Sequence, residues 1–193
     1  SVFFRPKTNI FIRKVVDVRW SNLSVFFKPW PIRLFFLGFS SGLPLLLVLG
    51  TLSFWLREAG VDLKTIGFLS WIGLIYGFKW LWAPAIDRLE IPFLTRYFGR
   101  RRGWLLVAQI GVTLCLLGMA FSDPQQSLVW VATCALGCAF FSATQDITVD
   151  AFRIEATNSQ YQAILAATYQ TGYRLAMIWA GAGALALAAL GED

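Results

Sequence analysis

The sequence has no histidine, only 3 cysteines in 193 residues, and only 15% charged residues. Each shortage removes a class of protein. With no histidine and no spaced cysteine pair flanked by polar loops, no zinc or other metal site is expected. Cys115, Cys134 and Cys138 all lie inside apolar runs, which argues against a disulfide framework. Soluble domains carry ~25% charged and ~45–50% apolar residues, whereas this chain is 57% apolar. It is also too poor in charge for a disordered chain, and it holds 9 Trp and 17 Phe. No Gly-x-Ser-x-Gly elbow, P-loop or His-based metal motif occurs, so neither an enzyme nor direct driving by ATP is encoded, and no cofactor is expected. The class left is an all-α integral membrane protein.

What the chain does have is five apolar stretches of about the length a spanning helix needs, ~20 residues. They cover about 34–56, 65–82, 104–121, 128–149 and 168–190. The charge between them alternates. Residues 1–33 hold seven Lys/Arg against Asp17, and the second loop holds Arg88, Arg96, Arg100, Arg101 and Arg102. The first loop is balanced, the third has no basic residue, the fourth holds Arg153, and the chain ends in Glu192 and Asp193. By the positive-inside rule, the N-terminus and the second and fourth loops are expected in the cytoplasm.

Residues 1–33 mix Phe3, Phe4, Phe11, Phe26, Phe27 and Trp30 with Arg and Lys. That mixture fits either an interfacial segment or an ordinary juxtamembrane basic tail. It lacks a compact apolar core with a small-residue cleavage site, so it does not read as a signal peptide. No nucleic-acid motif accompanies the charge, so no nucleic-acid partner is expected. The net charge of +6 speaks instead for orientation in a bilayer. The chain begins with Ser, and five spans are an odd number for a transporter assembled from repeated helical halves. A fragment, most of one half, is therefore expected.

Ionisable groups inside spans cost at least ~2.5–3.5 kcal/mol each on insertion scales. Three stand out: Lys79, Asp146 and Arg174. Antiparallel spans put Lys79, Gln109 and Asp146 at similar depth. Asp146 and Asp150 share a helix face, and Arg153 is spaced to pair with Asp150. Gln170 and Arg174 share another face beside Tyr173. A guanidinium near an amide and a phenol suits an anionic, hydroxyl-rich ligand. Structural ion pairing, or Lys79 snorkelling to the interface, fits the same residues. In the first span Gly38 and Gly42 form a small-xxx-small pair, and Pro44 frees a carbonyl, so Gly42 and Pro44 mark either a helix break or tight packing.

Several of these pieces, taken in order, resemble a family. Asp87-Arg88, an insert, then Gly99-Arg100-Arg101-Arg102 resembles the loop signature of the major facilitator superfamily, Gly-x-x-x-Asp-Arg-x-Gly-Arg-Arg. Ala83 stands where the leading Gly belongs, and the insert is long. Residues 38–44 (GFSSGLP), 62–68 (DLKTIGF), Phe78-Lys79, 99–106 (GRRRGWLL), 142–147 (SATQDI) with Asp150-Ala151, and 172–175 (GYRL) resemble one branch, the AmpG-type muropeptide permeases. The match runs over about residues 34–180.

The resemblance implies two six-helix bundles, of which this chain would supply five helices of the first, completed by a C-terminal half. It implies a bacterial inner-membrane symporter that imports anhydromuropeptides with protons for peptidoglycan recycling. Some relatives carry acetyl-CoA instead, and a membrane fragment with no transport of its own is the other alternative. Under this reading Asp87, Arg88, Gly99, Arg100, Arg101 and Arg102 form a gate motif. Asp146 or Asp150, with Lys79, serves proton coupling. Gln109, Gln145, Tyr173 and Arg174 contact the cargo.

Overall fold

The computed structural model describes residues 29–156 and 161–190. The N-terminal expectation, apart from residues 29–33, and the terminal Glu192 and Asp193 lie outside the described residues. Among the described residues there is no strand. Four helices are long and apolar enough to cross a membrane: α1 (Pro29–Glu58), α6 (Arg100–Ala120), α7 (Leu128–Ala156) and α8 (Gln162–Leu190).

The stretch expected as the second span takes another form. It runs as α2 (Leu63–Leu69), a 3-10 turn (Ser70–Gly73), α3 (Leu74–Phe78), a second 3-10 turn (Lys79–Leu81) and α4 (Ala83–Arg88). Gly67, Gly73 and Gly77 each weaken an α-helix by about 1 kcal/mol relative to alanine. Pro84 sits in the first turn of α4, where its missing N–H costs nothing, but an α-helix could not run through it undisturbed. Asp62 starts the segment by accepting the Thr65 N–H at 3.2 Å. The Thr65 hydroxyl, also bonded to this carboxyl, and then the Thr65 amide hold it below the usual carboxylate range. A short helix, α5 (Leu94–Phe98), then leads into α6.

Two seams of small residues bring the long helices together. α1 lies along α8. A Cβ on Gly38 would strike the Tyr169 carbonyl, one on Gly42 the Tyr173 carbonyl, and one on Gly172 the Phe35 carbonyl. α6 lies along α7, where Gly111 meets the Phe141 ring, Gly118 meets Cys134 Sγ, and Gly137 meets Cys115 Sγ. In lipid there is little hydrophobic drive between helices, so close van der Waals contact at such seams carries the association. Gly42 thus serves packing. α1 is not interrupted at Pro44 but runs on into a π-helical stretch, Leu47–Thr51. A matching π-helical stretch in α8, Trp179–Gly183, packs against it, and Thr51 Oγ1 donates to the Ala180 carbonyl at 2.9 Å.

The apolar interior has two parts. One joins Val48, Leu52 and Leu56 of α1, Ile66, Ile72, Val112 and Met119 to Val131, Ala135 and Cys138 of α7. The other joins Leu34, Val149, Leu165 and Tyr169. In each of α1 and α7 the stretch between the two apolar groups carries buried polar residues: Ser41 in α1, and Ser142, Thr144, Gln145 and Asp146 in α7.

Gly172→Val should force the α1–α8 seam apart, since a new side chain there meets backbone rather than a flexible tip. The expected cost is about 1–3 kcal/mol, read as a lower thermal midpoint of the full-length protein in detergent. Gly67→Ala, with open space around its position, should leave the midpoint unchanged or raise it.

Candidate functional site

The polar layer is centred on α7. Gln145 is 1% exposed, and its Nε2 donates to Ser40 Oγ and Ser41 Oγ of α1, each at 3.1 Å. A buried amide left without such partners would cost about 1–3 kcal/mol, so these bonds pin α7 to α1 in one register. Asp146 follows and is 6% exposed. Tyr169 of α8 donates its hydroxyl to Asp146 Oδ1 at 3.3 Å. On the other oxygen, Lys79 Nζ stands 3.7 Å from Oδ2. Lys79 comes from the second 3-10 turn, so Asp146 ties that turn to α7 and α8.

Around this trio lie more polar side chains. Trp82 Nε1 donates to Thr144 Oγ1 at 3.2 Å. The Tyr76 hydroxyl and Ser142 Oγ are both buried. The Tyr173 ring lies 6.0 Å from that of Tyr169. Two other elements, α8 and the second 3-10 turn, therefore converge on the α7 carboxylate.

A second charged group sits where α4, α6 and α7 end or begin. Arg101 Nη1 pairs with Asp87 Oδ1 at 2.5 Å, and Nη2 pairs with Glu155 Oε1 at 2.6 Å. Nε adds bonds to both Glu155 oxygens at 3.2 and 3.3 Å. The planar guanidinium fork suits this use of two carboxylates at once. The Arg101 side chain is 13% exposed, while Asp87 and Glu155 are about half exposed. Gly99, immediately before α6, has φ +82°, a backbone setting that side chains rarely adopt. That turn presents Arg101 to both carboxylates.

The expected site residues do not all meet. Lys79 and Asp146 do, with Tyr173 nearby. Gln145 is bonded through Nε2 to the two serines of α1. Asp150 pairs with Arg153 Nη2 at 3.4 Å, on the helix surface. Gln109 lies elsewhere, in a cavity of about 670 Å³ between α1, α5, α6 and α7, with Arg33 and Arg102 also in its wall. Arg174 is exposed on α8, one residue round from Tyr173, and shows no ion pair among the described residues. Of the gate motif, Asp87, Gly99 and Arg101 act together. Arg88 is exposed, Arg102 lines the Gln109 cavity, and Arg100 lines a smaller cleft with Trp30 and Phe152.

Two residues of these clusters, Glu155 and Tyr169, are not among those expected from the sequence. Glu155 lies 54 positions from Arg101, and nothing local announces the pairing. Tyr169 is four before Tyr173, and that spacing alone could have placed both phenols on one helix face.

The family model described as acetyl-coenzyme A transporter 1 matches residues 32–131. The chain is 45% identical over 166 residues to the anhydromuropeptide permease of Escherichia coli (strain K12), covering 86% of this chain and 33% of that protein. It is 40% identical over 156 residues to the putative transporter AmpG 4 of Rickettsia felis, covering 81% of this chain and 37% of that protein. The chain thus spans about a third of the length of the curated relatives it matches. The AmpG-type resemblance is borne out by these relatives, which are named as a permease and a transporter and not as enzymes.

A double-mutant cycle on Arg101→Ala and Glu155→Ala should return a coupling energy of up to about 1 kcal/mol in thermal stability. Arg101→Lys keeps the charge but loses the fork, so it should recover less than half of that coupling.

Proposed function

Because this chain belongs to the family described as acetyl-coenzyme A transporter 1, we propose that it is the N-terminal part of a secondary transporter that imports anhydromuropeptides with protons. It is a multi-pass membrane protein. We place it in the bacterial inner membrane with the N-terminus cytoplasmic, on the strength of the loop charges. A C-terminal half, related to this one as halves are in repeat-built transporters, would complete the pathway.

The observation that carries this reading is the Lys79–Asp146–Tyr169 cluster, in a chain 45% identical to a protein named anhydromuropeptide permease. A buried carboxylate costs too much in a membrane to persist without a task or firm pairing. In our reading Asp146 carries the coupling proton, and the surface-facing Asp150 does not. Tyr173 and the exposed Arg174 reach the cargo, with Arg174 pairing its anionic groups. Gln145 shapes the site by fixing α7 against α1. Asp87, Arg101 and Glu155 brace the bundle on the side where the basic loops lie, and they would separate and re-form as the two halves rock.

The name of the matching family model favours one other cargo, acetyl-CoA. It is also an anion, so the charge of the site does not distinguish the two. Import of wall fragments is the stronger reading because it rests on identity over most of the chain.

The test is uptake of labelled anhydromuropeptide by membrane vesicles holding the full-length protein, with and without a proton gradient. Uptake that rises with the gradient, and that excess acetyl-CoA does not suppress, is expected. Uptake of acetyl-CoA alone would replace the cargo. Arg174→Ala should reduce uptake at least about tenfold, as loss of a charged contact does, while leaving membrane insertion unchanged.

A further inference from the structure

The two partners of the buried ion pair are held very differently. Asp146 is fixed. Its own neighbour Gln145 is locked to Ser40 and Ser41, and Tyr169 holds one carboxylate oxygen. The Asp146 side chain is 9% exposed. Lys79 is loose. It stands on a three-residue 3-10 turn, its side chain is 37% exposed, and it reaches Asp146 at 3.7 Å, beyond a normal charge-assisted hydrogen bond of ~2.7–2.9 Å. No other ion pair of its ammonium occurs among the described residues. A compact ammonium on a flexible four-carbon stem can change partners with little rearrangement.

We infer that Lys79 is the seat for a carboxylate of the cargo, and that Asp146 occupies that seat when no cargo is bound. This rests on the proposed transport function and assigns the anion-binding residue within it. The groups that face Asp146 come from every neighbouring element: Ser41 on α1, Tyr76 and Lys79 on the broken segment, Asp150 on its own helix, and Tyr169 and Tyr173 on α8. Lys79 is the one cation within ion-pair reach among the described residues.

A proton on Asp146 Oδ2 removes the charge that holds Lys79 there. The neutral acid keeps Tyr169 as donor to Oδ1. Lys79 then turns its ammonium to an incoming carboxylate, so proton and anion enter as a pair and the net charge of the site is unchanged. When the proton leaves, Asp146 competes the cargo off the lysine. Coupling therefore follows from two carboxylates sharing one ammonium, and it needs no further charged residue. Arg174, on a different face, would take a second anionic group of the cargo.

The experiment uses the full-length protein in proteoliposomes with two labelled probes: an anhydromuropeptide and its analogue with every carboxylate converted to the amide. Wild type should prefer the acid. Lys79→Gln leaves Asp146 without its partner and could misfold, so Lys79→Gln/Asp146→Asn, a neutral pair of similar size, is measured beside it. In the double variant the preference for the acid should fall by about tenfold, through KM, with uptake of the amide kept. Asp146→Asn alone should keep the preference for the acid, keep exchange of labelled for unlabelled cargo, and lose accumulation driven by a proton gradient. Undiminished preference in the double variant, with wild type active, overturns the inference and leaves the transport function standing. No uptake of either probe by wild type overturns the function and the inference together.

Discussion

The bilayer leaves no water to satisfy a polar group at mid-depth, and the arrangement of this chain follows from that constraint. Gln145 meets it with Ser40 and Ser41. Asp146 meets it with Tyr169 and Lys79. Together these bonds fix the register of α7 against α1, bring α8 alongside, and draw in the broken segment. The glycine seams then let the backbones come close enough for the bonds to form. Hydrophobic burial fills the space on either side of this layer but does not choose the register, because in lipid an apolar side chain is nearly as well placed facing outward.

Much of this was legible in the sequence. Span length and loop charge mark α1, α6, α7 and α8, because hydropathy is read from consecutive residues. The i, i+4 spacing puts Gly38 and Gly42 on one face, and the structure puts both against α8. The pairing of Lys79 with Asp146 was foreseeable as a matter of depth, since antiparallel helices level those two positions. The broken form of the second segment was not foreseeable from hydropathy, which is blind to the difference between α and 3-10 winding. The glycines and Pro84 carried that information.

The candidate site was less legible for a physical reason. Polarity at a position says that a partner must exist, but not which helix supplies it. An amide in a span needs partners, and those of the Gln145 amide are two adjacent serines 104 and 105 positions away. Depth alone groups Gln109 with Asp146, whereas Gln109 lines a cavity whose wall does not include Asp146. Glu155 was overlooked because its partner comes from another helix and the pair is set by the turn at Gly99.

The alternation of winding in the second segment has a consequence for thickness. Eighteen residues of α-helix, as over 65–82, extend about 27 Å at 1.5 Å per residue, just short of a hydrocarbon core of ~30 Å. Seven of those residues, Ser70–Gly73 and Lys79–Leu81, are wound as 3-10 helix, which rises ~2.0 Å per residue and so adds about 3.5 Å. The tighter winding makes a short apolar stretch longer than its residue count suggests, and one of the two turns that lengthen it carries Lys79.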